Sequence, residues 1–245
     1  MNYQFVYPAL SKQEENALEA FLPEYNALKK LGAEVDTYPH KDAEQLILRE
    51  FIMYEESKYP QDSRFINSWK EYNAMFRMSI YYPLIAEISI PTFFTKDLDV
   101  SVVEGAAERG WNKVFIKNDI KSLWAIDDYA SVWPNHSLGA IKDNLTKCYR
   151  LNDTYAIRKF INPEVFIEED RYWVINDKIY HRTGVIPEIV KKAAQRLSVL
   201  GSRYYAIDAT PYFIVEVNPG ESSDRYGDNP PELFASWFME AFDIS

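Results

Sequence analysis

The sequence is poor in cysteine, glycine and positive charge, and these shortages exclude several classes of protein. A single cysteine, Cys148, among 245 residues excludes a disulfide framework and predicts a reducing compartment. A formal net charge of −10 argues against a general attraction to nucleic acid or anionic membranes, so a bound anion must meet a local basic cluster. No apolar run approaches the roughly 18 residues of a membrane span, and residues 1–10 lack a signal-peptide pattern. We therefore expect a cytoplasmic protein that binds neither nucleic acid nor membrane.

The composition that remains is that of an ordinary globular protein, with 47% hydrophobic and 26% charged residues. Its length suits one large domain or two small ones. Strand patterns at residues 3–7 and 33–38 flank a helical stretch at 11–32, which predicts a small α/β unit at the N-terminus. Residues 41–58 and 65–88 are predicted to be mostly helical.

The second part of the chain is richer in strands and in polar strand residues. Its predicted elements are strands at 111–119 and 154–161, hairpins at 171–182 and 204–218, and helices at 187–201 and 229–242. Because the pattern changes, we place a domain boundary near residue 92, between an N-terminal domain (1–92) and a second domain (93–245).

The hairpin at 204–218 carries an aspartate and a Glu-x-Asn pair. A two-residue turn would direct Asp208 and Glu216 to opposite faces, whereas a three-residue loop at 211–213 would pair them on one face with Asn218. The apolar residues on the other face favour the three-residue loop. Adjacent carboxylates repel unless a cation or proton lies between them, and acid and amide oxygens suit Mg²⁺. The alternative is an exposed polar face on an edge hairpin.

The hairpin at 171–182 would place Arg171 opposite Arg182 if its central turn has two residues. Like charges in directly opposed positions are unfavourable, and a shared anion such as phosphate would relieve them. Alternatively, the two arginines extend into solvent or pair with Glu168 and Glu169.

A lysine ends the strand at 111–119. Lys117 can reach a phosphate as a point charge, with Lys121 and Ser122 in the loop that follows. Taken alone, a lysine at a strand end is usually just solvated.

The order of these features resembles the ATP-grasp superfamily: a strand lysine, the segment IRKFI, an acidic stretch with a strand arginine, an aspartate, and Glu-x-Asn. The segments FIKNDIKS, EEDRYWVINDKIYH and VEVNPGESSDRYG are most similar to the ATP-grasp clade named for two arginines and a lysine. The resemblance covers residues 90–245, and residues 1–90 suit a pre-ATP-grasp domain. It implies an α+β fold, in which two α+β subdomains grip ATP behind an N-terminal α/β domain.

The resemblance also implies which residues bind the nucleotide. The phosphates would be contacted by Lys117, Lys121 and Ser122. The adenine hinge would be Lys159, Phe160 and Ile161. Glu169 would bind ribose, with Glu168 or Glu164 as alternatives, and Arg77 is a further candidate for a phosphate contact.

The same resemblance implies a metal and substrate site. Asp208, Glu216 and Asn218 would hold one or two Mg²⁺ ions, and Arg171 and Arg182 would face the γ-phosphate and the acyl phosphate. Arg225 would clamp a substrate carboxylate, or else form a surface pair with Asp224 or Asp228. Ser222 or Ser223 could contact phosphate.

The sequence departs from the family pattern at two points. The loop after Lys117 has no glycine, where many ATP-grasp enzymes have a glycine-rich flap, and the interval from Asp208 to Glu216 is short. The activity implied is ATP- and Mg²⁺-dependent ligation of a carboxylate and an amine, both of unknown identity, through an acylphosphate. The alternatives are a non-catalytic ATP-binding assembly factor or chaperone and a phosphoryl transferase on the same scaffold.

Overall fold

A computed structural model describes residues 1–12, 15–120, 131–148, 154–162, 164, 168–225 and 229–244. The strands are β1 (Tyr3–Val6), β2 (Glu34–Asp36), β3 (Gln45–Leu48), β4 (Thr92–Thr95), β5 (Val114–Asn118), β6 (Val132–Trp133), β7 (Tyr155–Lys159), β8 (Asp170–Ile175), β9 (Lys178–Tyr180), β10 (Tyr204–Ala209) and β11 (Ile214–Pro219). The helices are α1 (Glu15–Ala20), α2 (Leu22–Lys30), α3 (Trp69–Phe76), α4 (Met78–Ile85), α5 (Val100–Glu108), α6 (Leu138–Cys148), α7 (Glu188–Leu197) and α8 (Pro231–Ala241). In these ranges no helix combines the length and apolar character that crossing a membrane requires.

The N-terminal part is a parallel sheet in the order β2-β1-β3. All four residues of the central strand β1 are buried, as is usual for a parallel strand covered on both faces. The helices α1 and α2 connect β1 to β2, and Gly32 follows α2 with φ +90°, the left-handed conformation that glycine adopts without strain. The predicted β-α-β unit is confirmed.

The helical prediction for residues 41–58 is wrong. Its centre is strand β3, which pairs in parallel with β1, and only a short 3₁₀ turn forms at Glu56–Lys58. A four-residue apolar run fits a buried strand as well as a helix, and here the edge of β1 decided the outcome. The helical prediction for residues 65–88 is confirmed in α3 and α4.

Two antiparallel sheets form the rest of the protein, in the orders β4-β7-β5-β6 and β11-β10-β8-β9. We call them the lysine sheet and the carboxylate sheet. Helices α5 and α6, which the sequence patterns did not predict, contribute Val102, Ala106, Ile141 and Leu145 to a core with the lysine sheet. The side chain of Asp99 caps α5 by accepting a hydrogen bond from the Ser101 amide at 2.9 Å.

One face of the carboxylate sheet is apolar at one end and polar at the other. Trp173 and Tyr204 pack in a core with Phe234 and Phe238 of α8 and with Phe5 of β1. Because side chains alternate along a strand, the residues that continue this face are Arg171 on β8, Asp208 on β10, and Glu216 and Asn218 on β11. The opposite face packs against α4 and α7.

A buried ion pair ties the N-terminal part to the loop after β11. Arg49, directly after β3, donates to both carboxylate oxygens of Glu24, at 2.6 and 2.7 Å, and neither side chain is exposed. The Arg49 guanidinium also donates to the backbone carbonyls of Gly220 and Ser223, the latter at 2.9 Å. The chain that follows the Glu-x-Asn strand is therefore held by a charged group of the N-terminal sheet.

Candidate active site

The hairpin β10–β11 brings the predicted metal ligands onto one face. Asp208 lies directly opposite Glu216, as predicted, but the three-residue loop is wrong. Ala209 pairs with Ile214 and the Thr210 amide donates to the Phe213 carbonyl at 3.0 Å, so the turn has two residues, and a shift of register between Asp208 and Ala209 brings Asp208 opposite Glu216. The Asn218 side-chain amide donates to Asp208 Oδ2 at 3.2 Å. Asp208 and Asn218 are buried and Glu216 is half-buried, so this is not the exposed polar face of an edge hairpin.

Arg171 lies on the neighbouring strand β8, paired with Asp208. Its guanidinium donates to Asp208 Oδ1 at 2.7 Å and to Oδ2 at 2.8 Å, and also to Asp224 Oδ1 at 3.1 Å. The bidentate contact between Arg171 and Asp208 fixes the plane of the Asp208 carboxylate and places a positive charge on the polar face.

Lys117 of the lysine sheet meets this face from the other side. Its ammonium donates to Glu216 Oε1, and the lysine side chain is almost fully buried. Arg158 on β7 also bridges the two sheets, because its Nη2 donates to the carbonyl of Val215 at 2.8 Å. Arg158 belongs to the segment IRKFI, but no pattern in the sequence marks it as a site residue, since its burial depends on how the two sheets meet.

Four carboxyl groups lie near three cationic groups at this site. Burial and the charges of Asp208 and Glu216 together raise the pKa of Glu169 to about 7, while the charges of Arg171 and Arg158 lower it. The other carboxylates are Asp208, Glu216 and Asp224, and the cationic groups are Arg171, Lys117 and Arg158. An oxygen-rich donor set of this kind fits a hard divalent cation such as Mg²⁺.

The predicted adenine hinge lies at the end of β7. The Lys159 amide donates to the Pro91 carbonyl at 2.8 Å, and the Phe160 amide donates to the Lys113 carbonyl at 3.2 Å. The Lys113 ammonium lies 4.2 Å from the centre of the Phe160 ring, and Ile161 is half-buried. Their contact with adenine stays a prediction.

The other residues predicted to bind the nucleotide are two loop residues and three candidate acids. Lys121 and Ser122 lie outside the described residues. Glu164 and Glu168 are exposed, whereas Glu169 is half-buried beside the carboxylates. A ribose contact of any of the three acids stays a prediction.

The structure does not place Arg171 and Arg182 opposite each other. Trp173 pairs with Tyr180 as predicted, but β9 ends at Tyr180, before the position of Arg182. Arg182 Nη2 lies 3.2 Å from Asp170 Oδ2. Asp170 precedes Arg171 in the strand, so its side chain points to the opposite face of the sheet. The expected close pair of arginines is therefore wrong, while a phosphate contact of Arg182 stays a prediction.

Arg225 and Arg77, two further candidates for substrate or phosphate contacts, form hydrogen bonds within the protein. Arg225 donates to the carbonyl of Asn229 at 2.8 Å. Arg77 Nη1 lies 3.3 Å from Asp119 Oδ2, and Asp119 Oδ1 accepts the Ser79 amide at 2.6 Å. Asp119 comes two residues after Lys117, so these bonds anchor the end of the lysine strand to α4. The sequence shows that Asp119 lies close to Lys117, but it does not show that Arg77 and Ser79 are the partners of Asp119.

A cavity of about 600 Å³ opens beside the polar face. Its lining includes Arg171, Glu216 and Asn218, and also residues from two N-terminal segments: Pro8, Ala9 and Lys12, and residues 50–53. These two segments follow β1 and β3, so the cavity lies at the carboxyl edge of the parallel sheet. This edge is where α/β proteins generally bind ligands.

Glu221, in the loop that Arg49 holds, is a buried acid whose titration should be visible in protein stability. It accepts a hydrogen bond from Asn67 at 2.8 Å, and burial raises the pKa of Glu221 to about 7. The folded protein therefore binds this proton more tightly than the unfolded chain, so stability falls as pH rises from about 4.5 through about 7. We expect Glu221→Gln to remove up to about 3 kcal/mol of this loss.

Urea unfolding at pH 5 and pH 8 measures this effect as the change in the pH dependence of the unfolding free energy. Glu104→Gln, on the exposed side of α5, is the control variant. An unchanged pH dependence in Glu221→Gln would show that Glu221 is ionised in the folded protein without penalty.

No known protein-family model matches the sequence, and no curated protein matches it. Solved structures do match. The D-cycloserine synthetase DcsG is 12% identical with a TM-score of 0.63, covering 98% of this chain and 99% of that one. The ATP-grasp ligase PsnB, complexed with a phosphomimetic variant of its minimal precursor, Mg and ADP, is 11% identical with a TM-score of 0.59, covering 99% of both chains.

The macrocyclase MdnC from Microcystis aeruginosa MRC, bound with precursor peptide MdnA, is 14% identical. Its TM-score is 0.58, with 97% of this chain and 99% of that chain covered. At such identities the likeness shows the fold alone. The chain has the ATP-grasp fold, over nearly its whole length, and the expected α+β class is confirmed.

Proposed function

We propose that the protein is an ATP- and Mg²⁺-dependent carboxylate–amine ligase. The observation that carries this proposal is the meeting of the two sheets: Lys117 on one and Asp208, Glu216 and Asn218 on the other. That arrangement offers a cation for a triphosphate and oxygens for a metal on facing surfaces. The solved structures with the same fold include ATP-grasp ligases bound to ADP and Mg, which supports the choice of nucleotide and metal.

Asp208, Glu216 and Asn218 would hold the metal ion. When bound, Mg²⁺ supplies positive charge that neutralises the phosphate oxygens during transfer. Asp208 and Glu216 each have a protein cation as partner, so Arg171 and Lys117 would be free to turn toward phosphate once the metal takes over the carboxylates.

The reaction proposed has two steps. A carboxylate oxygen of the acid attacks the γ-phosphorus of ATP, the bond from that phosphorus to the ADP oxygen breaks, and an acylphosphate and ADP form. An amine nitrogen then attacks the acyl carbon, the carbon–oxygen bond to phosphate breaks, and the amine proton passes to a base or water. The protein positions the partners and stabilises charge, so no side-chain nucleophile is needed.

The remaining assignments belong to the same proposal. Lys117 with Lys121 and Ser122 would contact the phosphates, Lys159 to Ile161 the adenine, and Glu169 the ribose. Arg171, Arg182 and Arg225 would act on the transferring phosphoryl and the acyl substrate. Membership of the clade named for two arginines and a lysine, the division into 1–92 and 93–245, and a cytoplasmic location complete it.

The proposal is tested by ADP release with Mg²⁺, ATP and a panel of carboxylic acids, with hydroxylamine as a generic amine. An acylphosphate reacts with hydroxylamine to give a hydroxamate, which forms a coloured complex with ferric ion. We expect ADP and hydroxamate to appear together, and only when an acid is present. Tight ATP binding without turnover on the whole panel would indicate a binding module instead. A phosphorylated product that survives hydroxylamine would indicate a phosphoryl transferase.

A further inference from the structure

The cavity beside the polar face is lined by separate parts of the chain. Pro8, Ala9, Lys12 and residues 50–53 come from the edge of the parallel sheet, and Arg171, Glu216, Asn218 and residues 222–224 come from the carboxylate sheet and the loop after it. We call it the substrate cleft. A molecule within it that touches Arg171, Glu216 or Asn218 would lie beside the side chains proposed to hold the metal and the γ-phosphate. The cleft therefore continues the proposed reaction site toward the N-terminal sheet.

Much of the lining of the substrate cleft is apolar. It includes Ala17, Ala20, Phe21, Phe51, Ile52 and Met53. A hydrocarbon portion of a ligand would lose its water contacts here, which favours binding by roughly 25 cal/mol for each Å² of apolar surface removed from water. At about 600 Å³, the cleft is of the size that holds a small molecule.

Most charged groups that line the substrate cleft are already matched within the protein. Arg171 is paired with Asp208 and Asp224, and Glu216 is paired with Lys117. Glu50 also lines the cleft, and both of its carboxylate oxygens are buried.

Lys12 differs from these groups. It ends the 3₁₀ turn Pro8–Lys12 and lines the cleft, and its side chain is exposed. Across the described part of the chain, no carboxylate forms an ion pair with Lys12. An unmatched ammonium group is notable at a cleft wall in a protein with a net charge of −10. It marks a position that attracts an anion.

We propose that the substrate cleft binds an acid that carries a second anionic group. Its reacting carboxylate would lie beside Arg171, its apolar portion against Phe21 and Phe51, and its second anionic group at Lys12. This inference rests on the proposed ligase function. A lysine ammonium is a point charge that accepts a carboxylate or a phosphate alike, so the shared chemistry is a singly or doubly charged oxyanion.

Calorimetric titration in the presence of Mg²⁺ and a non-hydrolysable ATP analogue tests the inference. The probes are unbranched α,ω-dicarboxylates of four to about ten carbons and the monocarboxylates of equal length, a range that spans small-molecule clefts of this size. We expect one diacid length to bind at least about 10-fold more tightly than its monoacid, the effect of one charge-assisted contact. Lys12→Met should remove that advantage, whereas Lys192→Met on α7 should keep it.

Phosphonate-terminated acids of the same lengths distinguish the two oxyanions. A preference for the phosphonate would identify phosphate as the second group, and a preference for the diacid would identify a carboxylate. Equal binding of mono- and diacids at every length would overturn the inference, as would an unchanged preference in Lys12→Met. Binding of the ATP analogue is recorded separately, so its absence would count against the ligase proposal and not against the role of Lys12.

Discussion

Asp208→Asn is expected to reduce ATP turnover by at least about 10²-fold, because a metal ion and its ligands supply several kcal/mol of charge stabilisation. Asparagine keeps the shape of the side chain and one acceptor oxygen, but it loses the charge that both Arg171 and a divalent cation would use. Asp208 lies opposite Glu216 and accepts two bonds from Arg171, at 2.7 and 2.8 Å. Asp208 therefore lies between the proposed metal site and Arg171, the arginine proposed to contact phosphate.

The measurements are Mg²⁺-dependent affinity for an ATP analogue and the rate of ADP release, with circular dichroism to establish that the variant folds. Asp177→Asn is the control, since Asp177 lies in the β8–β9 turn with φ +67°, a conformation that asparagine also adopts readily. Wild-type affinity and turnover in Asp208→Asn would contradict the metal site and, with it, the proposed reaction.

Arg49→Met is expected to lower the free energy of unfolding by about 3–5 kcal/mol, the usual cost of leaving one member of a buried ion pair without its partner. Glu24 would then be a buried carboxylate with no cation, and the carbonyls of Gly220 and Ser223 would lose a donor. The stability of a typical domain is about 5–15 kcal/mol, so the loss is a large part of the total. It would also loosen the loop after Asn218, beside the active site.

Urea unfolding measures this effect. The double variant Glu24→Gln/Arg49→Met should be more stable than Arg49→Met alone, because it removes the uncompensated charge, and this comparison separates the ion pair from the lost packing. Arg196→Met, at the exposed pair with Glu87, is the control and should change stability far less. If Arg49→Met and Arg196→Met proved equally mild, the buried pair would not be what holds the loop.

The most informative part of the sequence was the hairpin at 204–218. Its apolar residues predict Asp208 opposite Glu216 on one face with Asn218, as the structure has them, although a shift of register between Asp208 and Ala209 produces that pairing and not a three-residue loop. The hairpin at 171–182 was informative only in part. Its turn determined the pairing of Trp173 with Tyr180, but not where β9 would end. The position of Arg182 depends on that end, which hydrophobic spacing does not encode.

Errors arose where an element takes its conformation from a distant neighbour. The residues of β3 form a strand because the edge of β1 was open to pair with them, and the local pattern QLIL does not distinguish strand from helix. Arg49 and Glu24 are ordinary surface-type residues in the sequence and are fully buried in the fold. Burial of a charge requires a partner, and the partner lies 25 residues away in the chain.

The sequence by itself determined the α+β class, the face that carries Asp208, Glu216 and Asn218, and the strand that carries Lys117, because alternation along a strand is a local property. Only the tertiary structure decided that Arg171 pairs with Asp208, that Arg158 bridges two sheets, and that Lys12 lines a cleft beside them. Each of these depends on how separate sheets and segments approach one another. That approach is set by the burial of whole faces rather than by the spacing of residues within any one of them.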